Sequence, residues 1–297
     1  MNKEKFLFPV DVYYQTEEKL EAVYHRGQDK IWDGKKVLSE ALEKYGTPNI
    51  NKKQQPAIEA LFSIILWGEY AAWNVSSQLS FMLDDYGAKM AAVSQAHDEA
   101  RHFYVIRDYL HILGHEPQKL PKPVEYILKS VIETNDLSKK LLGMQLMIEP
   151  VALTIFRFVK NSNIDPVLSE LLKYIEIDES RHVALGVKYL PKILKEMNKI
   201  EMLNFLLWQA KLINAEISGL KEMREDIVAL GLDPREVFEY AESKQIECLK
   251  LVTNEMGINE SLWKPIIRVI QFQKNMAFYP NKKHGLFKRI TNSFLGY

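Results

Sequence analysis

Two copies of one pattern, Asp-Glu-x-Arg-His, lie 80 residues apart, at residues 98–102 and 178–182. On a helix, positions i and i+3 project from the same face, so the Glu and His of each copy can bind one metal ion. A single Glu-x-x-His is a weak signal, because about one is expected by chance in a chain of this size. The matched Asp and Arg in both copies argue against coincidence. The repeat therefore predicts two helices that each carry a pair of metal ligands.

Two further glutamates follow the same spacing: Glu69 precedes Glu99 by 30 residues, and Glu149 precedes Glu179 by 30 residues. Because an α-helix rises about 1.5 Å per residue, antiparallel helices with a turn midway bring each pair to similar heights. Both added glutamates lie among apolar residues, where a carboxylate needs a compensating cation. We therefore predict a site for two metal ions in a four-helix bundle. The six predicted ligands are Glu69, Glu99, His102, Glu149, Glu179 and His182.

The Asp and Arg of each motif are expected to surround these ligands. A histidine that binds a metal through one ring nitrogen usually donates its other N–H to a carboxylate, which fixes its tautomer. We predict that Asp98 and Asp178 each accept this hydrogen bond from the histidine on the opposite helix. Arg101 and Arg181 are placed to pair with the two aspartates. The histidines outside the motifs, and Glu176, are interpreted as packing or surface residues.

The rest of the sequence predicts an all-α protein. Its 13 glycines and 12 prolines cluster between segments whose apolar residues recur at helical spacing. We expect a single domain, residues 1–297, with a metal-binding four-helix bundle over about 55–194 and additional N-terminal and C-terminal helices. The predicted helical regions are about 15–45, 55–83, 88–113, 124–160, 166–194 and 199–278.

Pro150 directly follows one predicted ligand, Glu149. Proline has no backbone N–H, so the carbonyl of Leu146 would lack its usual helical partner. A kink or a π-bulge is therefore expected beside the metals. Such a distortion would either let Glu149 change its binding mode or serve a structural purpose, and the sequence favours neither reading.

Composition excludes several other classes of protein. The 39 Lys and Arg balance 39 Asp and Glu, so the chain lacks the basic excess that nucleic-acid binding requires. The single cysteine, Cys248, excludes internal disulfides and cysteine-based metal sites. The first residues lack the apolar core of a signal peptide, and no run of about 18 apolar residues occurs. We therefore expect no transmembrane segment and a cytoplasmic location.

The order of the predicted ligands resembles the ferritin-like diiron-carboxylate superfamily, specifically its oxygen-activating branch. The doubled Asp-Glu-x-Arg-His resembles the hydroxylase subunits of bacterial multicomponent monooxygenases. Residues 27–34 (GQDKIWDG) and 231–241 (GLDPREVFEYA) are similar to the ribonucleotide reductase small subunit and its ligand-binding oxidase relatives. The motifs cover about residues 60–190, and the resemblance implies a ferritin-like four-helix bundle.

The resemblance also implies roles for individual residues. Two Fe ions per chain, or one Mn and one Fe, would be bridged by Glu99 and Glu179 at the catalytic centre. Thr154 is placed to substitute for a catalytic threonine that the monooxygenase hydroxylases carry near the third carboxylate. Ala72 and Met144 stand where the ligand-binding oxidases have a cross-linked valine and tyrosine, so that cross-link is not available.

The function implied is that of a dinuclear non-haem iron oxidoreductase. Dioxygen would be used to hydroxylate, desaturate or N-oxygenate a small or elongated apolar substrate. Because the chain has no flavin, nicotinamide or iron–sulfur motif, an external reductase or ferredoxin is expected to supply electrons. A homodimer is expected by analogy only. The hydrophobic residues expected to line the substrate cavity are Leu66, Trp73, Phe103, Leu146, Leu153 and Phe156.

Two other functions stay open at this point. A ferroxidase or iron-handling role would use the same ligands, although storage proteins have shorter bundles and a long region follows His182 here. A metal-stabilised scaffold without turnover is the second alternative, and the absence of a substrate channel would favour it. The basic, amphipathic stretch 282–297 is compatible with membrane-surface contact, but a packed or disordered tail is the favoured interpretation.

Overall fold

The computed structural model describes residues 18–257, 268 and 271–272. All regular structure within these residues is helical, and the predicted all-α, ferritin-like bundle with additional helices is confirmed. The helices are α1 (Glu18–Gln28), α2 (Gly34–Tyr45), α3 (Gln55–Met82), α4 (Tyr86–Ile112), α5 (Lys122–Glu133), α6 (Leu137–Leu141), α7 (Glu149–Asn161), α8 (Pro166–Glu196), α9 (Lys199–Glu222), α10 (Arg224–Ala229) and α11 (Pro234–Met256). A π-helical segment, Leu142–Ile148, connects α6 to α7.

Two antiparallel hairpins form the bundle. The first joins α3 to α4 through a short turn, where the Asp85 side chain accepts a hydrogen bond from the N–H of Ala88 at 2.9 Å. The second joins the stretch from α6 to α7 with α8, and Asp165 accepts from the N–H of Leu168 at 2.7 Å. Because each aspartate satisfies a backbone donor at the start of a helix, both turns have a defined position.

The apolar core of the bundle has two halves with a polar layer between them. On α3, Phe62 belongs to one half and Val75 to the other, and Glu69 lies between the two. On α8, residues 167–175 contribute to the first half and residues 185–194 to the second. The motif residues of all four bundle elements fall in the interval between these halves. The fold therefore collects the charged side chains at one level.

The remaining helices cover the bundle on two sides. Helices α1 and α2 pack against α4 and α8. On the other side, α5, α9 and α10 lie mainly against α3 and the π segment, and α11 lies against α7 and α8. The stretch Leu137–Asn161 is long and apolar enough to cross a membrane by length and composition, but 61% of its apolar window is buried inside the protein. Its position in the bundle core accounts for that apolar character.

The structure divides two regions that the sequence predicted as continuous helices. The region 15–45 contains α1 and α2 as separate helices, because Asp33 caps a new helix by accepting from two backbone N–H groups at 2.9 and 3.1 Å. The region 124–160 breaks before α6, where Asp136 accepts from two N–H groups at 3.0 and 3.3 Å. The prediction of continuous helices is wrong at both places, because a capping residue starts a new helix without changing the spacing of the apolar residues.

Pro191 and Gly257 are two further positions that the glycine and proline pattern predicts as helix boundaries, and only the second is confirmed. Pro191 lies inside α8, so that prediction is wrong. Gly257 ends α11 in the left-handed conformation with φ of 68°, a geometry that glycine adopts without a Cβ clash. The predicted helix beyond residue 257, apart from 268 and 271–272, and the basic stretch 282–297 lie outside the described residues.

The π segment confirms the distortion predicted at Pro150. The backbone N–H of Glu149 donates to the carbonyl of Met144, five residues earlier instead of four. The widened turns extend over seven residues, which is longer than a single bulge. They lead directly into Glu149, so the backbone irregularity lies at a predicted ligand.

Gly186 on α8 allows the close approach of the π segment. A Cβ at this position would lie 2.5 Å from the Cβ of Gln145, so we predict that Gly186→Ala lowers the free energy of unfolding by about 1–3 kcal/mol. Gly68 is the matched control, because a Cβ there has no heavy atom within 4 Å. Gly68→Ala should raise stability by about 0.5–1 kcal/mol. Urea unfolding measures both, and a neutral Gly186→Ala would contradict the packing described.

Candidate metal centre

The structure brings the six predicted ligands together in the polar layer, and all six side chains are buried. Their ligand atoms form two groups, and within each group the atoms lie within 4.8 Å of one another. The first group consists of Glu69, Glu99, His102 and Glu179. The second group consists of Glu99, Glu149, Glu179 and His182. Two glutamates are therefore shared between the groups.

The shared glutamates divide their oxygens between the two histidines. For Glu99, one oxygen lies 3.4 Å from Nδ1 of His102 and the other 2.9 Å from Nδ1 of His182. For Glu179, the corresponding distances to the same two nitrogens are 3.2 and 2.8 Å. A carboxylate that presents one oxygen to each of two positions is suited to bridge two cations.

Each group is completed by one further carboxylate. Glu69 Oε2 lies 3.3 Å from Nδ1 of His102, and Glu149 Oε1 lies 3.7 Å from Nδ1 of His182. Within the described structure, the buried Glu99 Oε2 and His102 Nδ1 have no hydrogen-bond partner. Buried polar atoms of this kind are costly unless a ligand or cation contacts them.

The donor set fits two divalent cations. Four carboxylates and two neutral imidazoles require four positive charges for balance, and two divalent ions carry that charge. Oxygen and imidazole nitrogen donors suit Fe and Mn, and cysteine is not needed. The residues present are therefore able to hold a dinuclear centre of the predicted kind.

The four buried glutamates differ in the direction of their pKa shifts. Burial raises the pKa of Glu69 and Glu149 well above the usual range. Burial acts in the same direction on Glu99 and Glu179, but the two neighbouring histidines hold the pKa of both carboxyls below the usual range. The two shared carboxyls are thus the more strongly ionised pair, and binding of cations by the other two would release protons.

Asp178 connects one ligand to the surrounding protein. Its Oδ2 lies 3.0 Å from Nε2 of His102, accepts from Trp32 Nε1 at 2.7 Å and accepts from Arg101 at 2.9 Å. Burial opposes ionisation, but these hydrogen bonds hold the pKa of Asp178 well below its usual range. An ionised Asp178 directs the Nε2–H of His102 outward, so its Nδ1 faces the carboxylates.

Asp98 occupies the equivalent place in the other half. Its Oδ2 lies 3.4 Å from Nε2 of His182 and accepts from Arg181 at 2.9 Å. Arg101 donates to Asp98 at 2.5 Å, and Arg181 donates to Asp178 at 2.6 Å. Each arginine therefore contacts both aspartates, and the two motifs form one network that links α4 to α8.

Two buried glutamines distinguish the second group from the first. Gln95 donates to Glu99 at 3.0 Å and to Glu149 at 2.8 Å, and Gln145 donates to Gln95 at 3.0 Å. In the 80-residue repeat, the positions equivalent to these glutamines hold Ile175 and Ile65. The group around Glu149 therefore has amide hydrogen bonds where the group around Glu69 has apolar contacts.

An apolar cavity borders the centre. Glu69, Glu149 and Thr154 line it, together with apolar residues of α3, α5, α7 and α9–α11. Its volume of about 170 Å³ exceeds the roughly 150 Å³ of a protein cavity that binds benzene. The hydroxyl of Thr154 donates to the carbonyl of Pro150 at 2.8 Å.

The residues that the sequence predicted as cavity lining do not line it. Leu66 and Phe156 are buried in the core, and Trp73 is 39% exposed on the outside of α3. The cavity lies instead between the bundle and helices α9–α11. Glu176, read as a surface residue, is half-buried and forms an ion pair with Lys160.

Solved structures that are similar to this chain include R2-like ligand-binding oxidases. The one from Sulfolobus acidocaldarius is 19% identical over 81% of this chain and 92% of that chain, with a TM-score of 0.60. An R2-like ligand-binding oxidase with an aerobically reconstituted Mn/Fe cofactor is 15% identical over 79% and 93% of the two chains, with a TM-score of 0.65. A mutant of such an oxidase with an Fe/Fe cofactor is 14% identical over 78% and 92%, with a TM-score of 0.62.

The chain has a ferritin-like fold. The expected resemblance to the ferritin-like superfamily is confirmed at the level of fold, which is what identities of 14–19% establish. No family model matches the sequence, and comparison with curated proteins gives no match.

Several residues of this site were not predicted from the sequence. Trp32 and Gln95 contact the predicted ligand network through tertiary hydrogen bonds, which local spacing cannot reveal. Glu216 and Gln245 line the cavity and contact each other. A signal for Glu216 was present, because the residues three and four positions away on α9 are apolar or glycine, as they are for a buried position.

We predict that Gln95→Leu weakens the metal position at Glu149 about 10- to 100-fold and leaves the position at Glu69 nearly unchanged. The reason is that Gln95 hydrogen-bonds Glu149 and the one oxygen of Glu99 that faces His182, so both of its contacts lie on the Glu149 side. Ile175→Val, at the equivalent place in the repeat, is the control and should leave both affinities unchanged. Competition with a chelator separates the two binding steps. Equal loss at both positions would contradict the assignment.

A second prediction concerns pH and Glu216. Burial raises its pKa to about 8, and a hydrogen bond from Gln245 opposes the rise. Because the folded state binds this proton more tightly than the unfolded state, Glu216 lowers stability as pH rises from about 4.5 to about 8. Glu216→Gln should therefore gain stability relative to wild type between pH 5 and pH 8 in urea unfolding. A constant difference across that range would refute the shift.

Proposed function

We propose that the chain is an oxidase with a dinuclear Fe/Fe or Mn/Fe centre that uses dioxygen to oxidise an apolar organic molecule. The observation that carries the proposal is the division of the Glu99 and Glu179 oxygens between His102 and His182 beside an apolar cavity. Structures with the same fold that are named as oxidases with Mn/Fe or Fe/Fe cofactors support it. An iron-handling protein has no evident need for the cavity.

The protein residues have distinct tasks in this proposal. When bound, the two metal ions supply the electrons that reduce dioxygen. Glu99 and Glu179 would be shared between the ions, and Glu69, His102, Glu149 and His182 would supply the remaining ligands. The aspartates and arginines of the two motifs keep the histidine rings in one tautomer and orientation.

The cavity provides the environment for the substrate. Its apolar walls exclude water and retain an apolar molecule next to Glu69 and Glu149. Thr154 borders the same space, and its hydroxyl proton points to the Pro150 carbonyl, so a rotation about its side chain would present a proton to the cavity. Thr154 is proposed to hold that proton.

The substrate class fits hydroxylation, desaturation or N-oxygenation. Each oxidation step takes two electrons from the substrate, whereas full reduction of dioxygen to water takes four, so an external donor such as a reductase or ferredoxin would supply the other two. The donor, a homodimeric assembly and a cytoplasmic location stay predictions from the sequence.

Anaerobic loading with Fe(II), followed by measurement of metal content and dioxygen uptake, tests the proposal. Wild type should bind two ions per chain and consume dioxygen, whereas Glu99→Ala should lose at least about tenfold in metal affinity and in uptake. Glu222→Gln, an exposed change on α9, is the control and should match wild type. Metal content and dioxygen uptake equal to wild type in Glu99→Ala would contradict the bridging role proposed for Glu99. Release of ferric oxide without substrate oxidation would point to iron handling instead.

A further inference from the structure

The cavity contains a second polar cluster, formed by Glu216 of α9 and Gln245 of α11. The side-chain nitrogen of Gln245 lies 3.1 and 3.2 Å from the two carboxylate oxygens of Glu216. The same nitrogen lies 3.1 Å from the backbone carbonyl of Met147 in the π segment. The cluster therefore connects the outer helices to the π segment, which leads into Glu149.

The cluster contains more hydrogen-bond acceptors than the side-chain amide of Gln245 has hydrogens to donate. An amide NH₂ has two hydrogens, but three oxygens, two from Glu216 and one from Met147, surround the Gln245 nitrogen. Glu216 therefore keeps acceptor capacity that faces the cavity it lines. A ligand that brings N–H donors would satisfy that capacity.

The charge of the residues that line the cavity also favours a ligand with N–H donors. Its ionisable lining residues are Glu69 and Glu149 at the metal centre, Glu216 on α9 and Glu242 on α11. Among the described residues that line the cavity, none is a lysine, arginine or histidine. The rest of the lining is predominantly apolar. A cationic head group would favour the ionised form of Glu216 and be attracted to it in this low-dielectric space, whereas an anionic head group would be repelled by that carboxylate and could not stabilise it.

We propose that Glu216 and Gln245 form a head-group site, and that the cavity takes an apolar molecule that carries a protonated amine. An alkylammonium group offers three N–H donors and one positive charge, and these complement the Glu216 carboxylate. The apolar part of the molecule occupies the cavity toward the metal centre. As an assignment of substrate class this rests on the proposed function, but as a binding site it does not.

Calorimetric titration of the full-length protein with octylamine, octan-1-ol and octanoate tests the site. Octylamine should bind about 10- to 100-fold more tightly than octanoate, which is the range of charge-assisted hydrogen bonds. This comparison needs no variant. Equal or tighter binding of octanoate would overturn the proposal.

Variants then assign the preference to the cluster. Glu216→Gln should remove most of the advantage of octylamine and leave octan-1-ol binding nearly unchanged, whereas Glu216→Asp should retain it. Glu222→Gln, exposed on the same helix, is the control. Because burial raises the pKa of Glu216 to about 8, octylamine should also displace a proton at pH 7, seen as buffer-dependent heats. An unchanged preference in Glu216→Gln would overturn the assignment.

Glu99→Ala separates this proposal from the proposed function. Octylamine binding should persist in that variant, because the head-group site does not include the bridging ligands. If wild type prefers octylamine but takes up no dioxygen, the oxidase function fails and the head-group site stands. If wild type binds two metals and takes up dioxygen but does not prefer octylamine, the head-group site fails alone.

Discussion

The burial of four carboxylates at one level of a helical bundle is the constraint on which the rest of the structure depends. Such groups cannot lie in an apolar core without compensation, because burial of an unpaired charge is costly. The core is accordingly divided into two apolar halves, with the charged residues collected between them. The histidines, the Asp–Arg network and the proposed cations provide the compensation.

The two halves of the ligand set are related by the sequence repeat but are not equivalent. Gln95 and Gln145 contact the half that contains Glu149, whereas Ile175 and Ile65 occupy the equivalent positions of the other half. The π segment also precedes only Glu149 among the ligand-bearing helices described. The amide hydrogen bonds and the π segment both lie at the half that contains Glu149, so the two predicted metal positions have different surroundings.

The clustering of the six predicted ligands could be predicted from sequence because their spacing depends on helix geometry alone. The i, i+3 pairs and the 30-residue intervals follow from the rise and the turn of an α-helix. The π distortion could be predicted from Pro150, because proline has no backbone N–H. Helix breaks at Asp33 and Asp136 were missed, because a capping side chain ends a helix without changing the apolar period. The cavity was misplaced for a different reason, since it depends on where α9–α11 pack. Glu216 shows that the same reasoning applied to Glu69, a carboxylate on an apolar face, could have been extended to α9.

The central claim is that Glu99 and Glu179 bridge two metal ions. Anomalous X-ray scattering at the Fe and Mn absorption edges, from crystals of the metal-loaded protein, tests it most directly. Two peaks per chain are expected, one beside Glu69 and His102 and one beside Glu149 and His182, with the carboxylates of Glu99 and Glu179 between them. A single peak, or two peaks without a shared carboxylate, would contradict it.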